Sequence, residues 1–168
     1  RKLSAIISKL ALYEVTVIMF FLIDQFILND IILTFFSVPF MLTKIVALVD
    51  ALGNLVRFLL LPGQAHDMKG VAPLIRGVSF DALLADKAFD ADWLLQDLDQ
   101  RGATAVIPPK ANRKIQRDYD AEVYKWRHLV ENYFAKIKEF RGIATRYDKT
   151  DCSYAACWNL VAALIASR

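Results

Sequence analysis

Tyr124, Arg127, Glu131 and Lys138 stand 3, 4 and 7 residues apart. On a helix, at about 100° per residue, all four fall within an arc of about 60°. Val123, Trp126, Val130, Phe134 and Ile137 fill the adjoining arc, which should face a core. The polar four therefore line the edge of a buried face, where a helix can hold a carboxylate in a cleft with cations beside it. A plainer reading gives the same pattern: an amphipathic helix with an Arg127–Glu131 pair, worth about 0.2–0.5 kcal/mol. His128, beside the arc, suits a surface position or a phosphate contact.

The elements that must position these residues are legible in order. The stretch 119–149 reads as one long helix followed by a short basic segment. Before it, 44–50 and 55–61 are β-rich runs joined by turn residues Ala51, Leu52, Gly53 and Asn54, which predicts an antiparallel hairpin ended by Pro62-Gly63. Asp67 is placed to cap a short helix towards Arg76. Residues 82–85 form a short apolar strand that ends at Asp86. Asp90 is placed to cap a helix through Trp93 to Arg101, closed by Gly102. Residues 103–109 form a further strand, and 110–117 a basic loop. A last helix, about 154–166, is apolar nearly all round and is expected to be buried. Trp93, Trp126 and Trp158 sit on helices, where core packing is the expected role. The order is that of a mixed α/β layer protein.

A chain of 168 residues is one domain, or one domain and an extra segment. The net charge of +3 hides a segregation. Residues 1–107 carry 9 Lys/Arg against 11 Asp/Glu, whereas 108–150 carry 11 against 6. A basic stretch around a carboxylate suits a polyanion approaching a metal site, or is simply a solvated face. Cys152 and Cys157 do not form a zinc pattern, and their apolar run predicts buried free thiols.

Residues 1–41 differ from the rest. They hold six of the eleven Phe, no Gly and one Pro. The apolar stretch 15–42 is long enough to span a bilayer, but Asp24, Gln25, Asn29 and Asp30 interrupt it, so membrane insertion is disfavoured against burial in a core. No small-residue cleavage site follows it, which argues against a signal peptide. The chain begins without Met, and composition shifts abruptly at residue 42. The first fits a missing start, the second a splice or a frameshift in the coding sequence, which sequencing of the locus tests.

The string Tyr124-x2-Arg127-x3-Glu131-x6-Lys138 resembles the signature of bacterial insertion-sequence transposases of the DDE type. Its flanks resemble the family too: Arg127-His-Leu-Val-Glu-Asn132 and Ile143-Ala-Thr-Arg-Tyr-Asp-Lys149. So do Thr43-Lys-Ile-Val-Ala-Leu-Val-Asp-Ala-Leu-Gly-Asn54, Arg57-Phe-Leu-Leu-Leu-Pro-Gly-Gln-Ala-His-Asp67, Ala85-Asp-Lys-Ala-Phe-Asp-Ala-Asp92 and Val106-Ile-Pro-Pro-Lys-Ala-Asn-Arg-Lys114, in the family's order. The likeness covers residues 43–168. It departs at Val46, where the family often has His, at Leu55 and Leu61, where it often has Pro and Thr, and at Gly142, where a second Arg is usual.

The resemblance implies an RNase H-like mixed sheet flanked by helices over residues 42–168, with the first strand in doubt and 1–41 unmatched. It implies a DNA transposase that cuts and joins phosphodiesters with Mg²⁺ or Mn²⁺, acting on transposon ends and target in the bacterial cytoplasm, at the nucleoid. A homo-oligomer is compatible with this, and a membrane partner is not expected. Asp86 matches the second metal-binding carboxylate and Glu131 the third. Tyr124, Arg127 and Lys138 match the residues that accompany them, with Arg and Lys on DNA phosphate near the cut; Lys110, Arg113 and Lys114 join them as DNA-binding residues. Carboxylates carry such sites because hard cations need oxygen ligands.

The family's first carboxylate lies on a strand before the hairpin, and 1–41 contain no matching segment. Asp24 follows a strand-like run but is a weak substitute. Asp50 ends the strand that runs back from the site and should lie at the wrong edge. With two of three ligands, metal affinity and phosphoryl transfer should fall severely. Three functions are thus carried forward: an impaired, truncated or frameshifted transposase; a catalytically dead remnant that binds DNA; and a small membrane-associated protein. His66 and Asp67 suit helix capping, or else a place at the edge of the site.

Overall fold

The computed structural model describes residues 15–22, for which the backbone alone is considered, together with 43–114 and 116–167. Five strands form one sheet: β1 (Val15–Leu22), β2 (Thr43–Asp50), β3 (Leu55–Pro62), β4 (Ala82–Leu84) and β5 (Thr104–Val106), in the order β3-β2-β1-β4-β5. β2 is antiparallel to β1 and β3, whereas β1, β4 and β5 run parallel.

The hairpin forms where its sequence predicts it. β-branched and leucine residues build both strands, and Gly53 turns the chain at φ +84°, a conformation that suits glycine. Asp50 accepts from the backbone N–H of Leu52 at 2.9 Å and of Asn54 at 2.8 Å, so its carboxylate is a turn-closing group.

Helices cover both faces of the sheet. Alternation along β2 sends Ile45, Ala47 and Val49 to one side and Val46 and Leu48 to the other, and all five are fully buried. The first side is covered by α4 (His128–Lys138), α5 (Arg141–Thr145) and α6 (Asp151–Ala166), through Val130, Phe134, Ile137, Ile143 and Trp158. The second is covered by α1 (Val71–Ile75) and α2 (Asp92–Gln100), through Leu74, Ile75, Leu94 and Leu98. β1 lies inside the sheet, with β2 on one side and β4 on the other. A central strand covered on both faces reads as a continuous apolar run, which explains why its sequence lacks alternation.

Several expectations need correction. The single helix of 119–149 is segmented: α3 (Ala121–Tyr124), a 3-10 turn (Lys125–Arg127), then α4 and α5. Phe140 takes an extended conformation between α4 and α5, and Arg146, at φ 40°, ends α5. α6 is buried only along Tyr154, Trp158 and Val161; Leu160 is 72% exposed, because no layer lies beyond it among the described residues. Cys152 is exposed and Cys157 half-buried, so neither is a fully buried thiol. Trp93 is 42% exposed, whereas Trp158 is in the core and Trp126 packs against its edge. His66, not Asp67, caps the turn Asp67–Gly70, its Nδ1 accepting from Met68 N–H at 3.2 Å. Asp67 instead pairs with the buried Lys44. Among the described residues no helix is long and apolar enough to cross a membrane.

Candidate active site

Strand alternation decides which way Asp86 faces. Leu84 packs into the layer of α4, and Ala85 into the opposite one. Asp86, the next residue, therefore turns back towards α4. The backbone leaves the sheet there into a 3-10 turn, Lys87–Phe89, pinned by buried Phe89. A carboxylate at the end of a buried strand is thus held by the sheet while its side chain, 41% exposed, meets solvent.

Asp120 starts the facing segment, accepting from Glu122 N–H at 2.9 Å and Val123 N–H at 3.0 Å. The 3-10 turn that follows has about three residues per turn, so Tyr124 and Arg127 come nearly into line. Both reach Asp86. The Tyr124 hydroxyl donates to Asp86 Oδ1 at 2.9 Å, and Arg127 Nη1 donates to Oδ2 at 3.2 Å. The other end of the same guanidinium, Nη2, lies 2.7 Å from Glu131 Oε1. One arginine bridges two carboxylates from different elements. The expected Arg127–Glu131 pair exists, and it is half of a larger site.

Burial raises the Tyr124 pKa first, and the hydrogen bond and negative charge of Asp86 add to it, carrying it to about 12. The phenol is therefore a proton donor to Asp86 and stays protonated through the neutral range. Lys138 lies two turns beyond Glu131 on the same helix, half-buried, and burial draws its ammonium pKa below the usual value. His128 is exposed, with Nδ1 2.8 Å from the Lys125 carbonyl.

The basic loop 110–117 runs beside this site, tied to a residue that the sequence pattern misassigns. Asp90 does not cap α2: the cap position is Ala91, and no side chain bonds there. The Asp90 side chain is instead wholly buried. It accepts from Lys110 N–H at 2.9 Å, Arg113 Nε at 2.5 Å and Arg117 Nη2 at 2.9 Å. Arg113 also pairs with Asp92 at 2.6 Å. Lys114 is exposed and Lys110 half-buried. A sequence signal for this anchor exists: two arginines four apart in a loop without acidic residues of its own.

The donor set suits a hard divalent cation in part. Asp86 and Glu131 offer carboxylate oxygens, and a Mg²⁺ ion keeps several waters when one or two carboxylates bind it. Among the described residues, no cluster of three or more His, Cys, Asp or Glu occurs. The parallel register ends with Val17 beside Leu84, two residues before Asp86, and Val15–Leu22 contains no acidic residue. Asp24 lies outside the described residues.

Comparison with known proteins gives the family. Residues 39–166 match the family model described as the transposase DDE domain. The chain is 35% identical over 127 residues to a Brucella ovis protein named "Putative transposase for insertion sequence element IS6501", covering 74% of this chain and 98% of that protein. No solved structure matches the chain. With the family match spanning most of its length, this chain belongs to the DDE-domain transposases of insertion sequences, enzymes of DNA recombination.

Proposed function

We propose that the chain is the phosphodiester-cutting and joining domain of an insertion-sequence transposase, in a copy impaired by a missing carboxylate. The observation that carries this reading is the Arg127 bridge, which brings Asp86 and Glu131 together across the sheet and helix layers. The strand order, with β2 alone antiparallel to its neighbours, supports an RNase H-like sheet. In that arrangement the parallel strand β1 is the natural place for the first carboxylate, and continuing the Val17–Leu84 register by two residues would set Met19 opposite Asp86.

Asp86 and Glu131 are the residues to hold Mg²⁺ or Mn²⁺. A bound divalent ion supplies Lewis-acid stabilisation of charge on the phosphodiester oxygens. The chain's own residues do the rest. Tyr124 fixes the Asp86 carboxylate through its phenol proton. Arg127 keeps the two carboxylates from repelling each other and, released from them, offers a forked donor to a phosphate. Lys138, Lys110 and Lys114 neutralise phosphates along the strand, and Arg113 holds the loop that carries two of them.

Two carboxylates without the third favour DNA binding over turnover, so the reading of a DNA-binding remnant shares the same site. Incubating the purified chain with duplex DNA in Mg²⁺ or Mn²⁺ separates them. Weak nicking that disappears in E131Q supports an impaired enzyme. Binding without any nicking leaves the remnant, and sinks the enzymatic reading for this copy.

A further inference from the structure

Asp90 is the most completely enclosed charged side chain among the described residues, and that side chain belongs neither to the Asp86–Glu131 pair nor to the cap of α2. A carboxylate out of water is costly unless its lone pairs are matched. Here they are matched by one backbone N–H and two guanidinium groups, all from the basic loop. Burial works against its charge, but the hydrogen bonds from Arg113 and Lys110 and the two positive charges outweigh this, holding its pKa below the ordinary value.

The placement is specific. Asp90 follows Asp86 by a single 3-10 turn, closed by Phe89 N–H to the Asp86 carbonyl at 2.8 Å and by Asp90 N–H to the Lys87 carbonyl at 3.2 Å. On the loop side, Arg113 N–H and the Gln116 side chain both donate to the Lys110 carbonyl, at 3.0 and 3.3 Å. The chain then leads to Asp120, the helix cap, and to Tyr124, which returns to Asp86. Asp86, Asp90, the basic loop and Tyr124 form a closed circuit of contacts.

We propose that Asp90 is a positioning residue: through Arg113 and Arg117 it presets the basic loop, so that Lys110 and Lys114 meet a DNA phosphate backbone in register with Asp86. The proposal rests on the DNA reading above. It assigns Arg113 an anchoring role, with its guanidinium shared between buried Asp90 and exposed Asp92. An ordered loop binds more tightly than a mobile one because the ordering cost is met before DNA arrives.

The test uses the full chain and a short fluorescent duplex at fixed salt, with limited proteolysis as a second readout. D90N keeps the shape and loses the charge. R113K keeps the charge and loses the fork. Each single variant is expected to bind about tenfold more weakly and to gain cleavage sites within 108–118. The double variant D90N/R113K is expected to be no weaker than either single, because the two residues act as one unit. D92N, which removes only the exposed leg, is expected to stay within about twofold of the original chain. Additive losses in the double variant would make Arg113 an independent DNA contact and overturn the proposal. So would unchanged affinity and proteolysis in D90N with only a lowered unfolding midpoint, since that marks a merely structural role. Failure of the unsubstituted chain to bind duplex at all overturns the DNA reading itself.

Discussion

The Tyr124 hydroxyl donates to Asp86 Oδ1 at 2.9 Å, across 38 residues of sequence. The contact ties the start of the helical segment to the end of the central strands. Y124F removes only that donor. Asp86 is 41% exposed, so water replaces part of the bond, and the expected loss of stability is about 1 kcal/mol or less by denaturant unfolding. The pH dependence gives a sharper check. The unfolded phenol titrates near 10.0 and the folded one near 12. The unfolded chain thus releases its proton first as pH rises. Tyr124's contribution is complete below about pH 10 and is lost between there and about pH 12. Y124F should lose stability less steeply across that window, while Tyr133 and Tyr154, whose pKa values burial also raises, keep some of the slope.

Glu131 and Arg127 form an i,i+4 pair with side chains 44% and 26% exposed. Such a pair contributes little to folding, about 0–1 kcal/mol. E131Q should therefore leave the unfolding midpoint nearly unchanged and reduce divalent-ion binding, read by isothermal titration. A large fall in stability with unchanged ion binding would return Glu131 to the role of a helix surface residue.

Gly70 is set by packing, not by backbone conformation. A Cβ there would stand 2.9 Å from Val46 Cγ2 and 3.1 Å from Leu61 Cδ1. Val46 is buried and β-branched, so it cannot swing aside. G70A should destabilise the chain by about 1–3 kcal/mol. V46A removes the Cγ2 that the added Cβ meets, so the losses in G70A and V46A should combine to less than their sum. Chemical denaturation of the single and double variants measures both effects.

Asp90 responds to acid. Its pKa is held below the ordinary 3.8, so the folded state keeps it ionised at pH values where the unfolded chain takes up a proton. Its contribution is whole above that value and is lost as pH falls through the depressed one. The D90N variant should show a shallower acid limb in its unfolding curve, and an unaltered limb would contradict the buried charge.

The hairpin, the short strands and the apolar face of α4 were legible because their signals are local. Turn residues close β2 onto β3, and Val130, Phe134 and Ile137 repeat at helical spacing. Asp86 and Glu131 were singled out through resemblance alone; their spacing in sequence carries no hint that one arginine joins them. The misassignments share a cause. Whether an Asp before a helix caps it or anchors a distant loop depends on where Arg113 and Arg117 fold, which Asp90 and its neighbours do not encode. Whether an apolar helix is enclosed depends on a layer that the described residues do not provide, as Leu160 on α6 illustrates. β1 was obscure for the opposite reason: a strand in a sheet packed on both faces shows no alternation to separate it from a membrane segment.

The proposed metal pair, Asp86 and Glu131, lacks a third carboxylate, and position 19 is the proposed place for it. Divalent-dependent nicking of duplex DNA by the unsubstituted chain, M19D and M19D/D86N, run side by side with E131Q, tests it most directly. Weak nicking by the original chain, lost in E131Q, raised in M19D and abolished in M19D/D86N, is the expected result. Full Mg²⁺-dependent cleavage by the original chain, or cleavage untouched by E131Q, would contradict it.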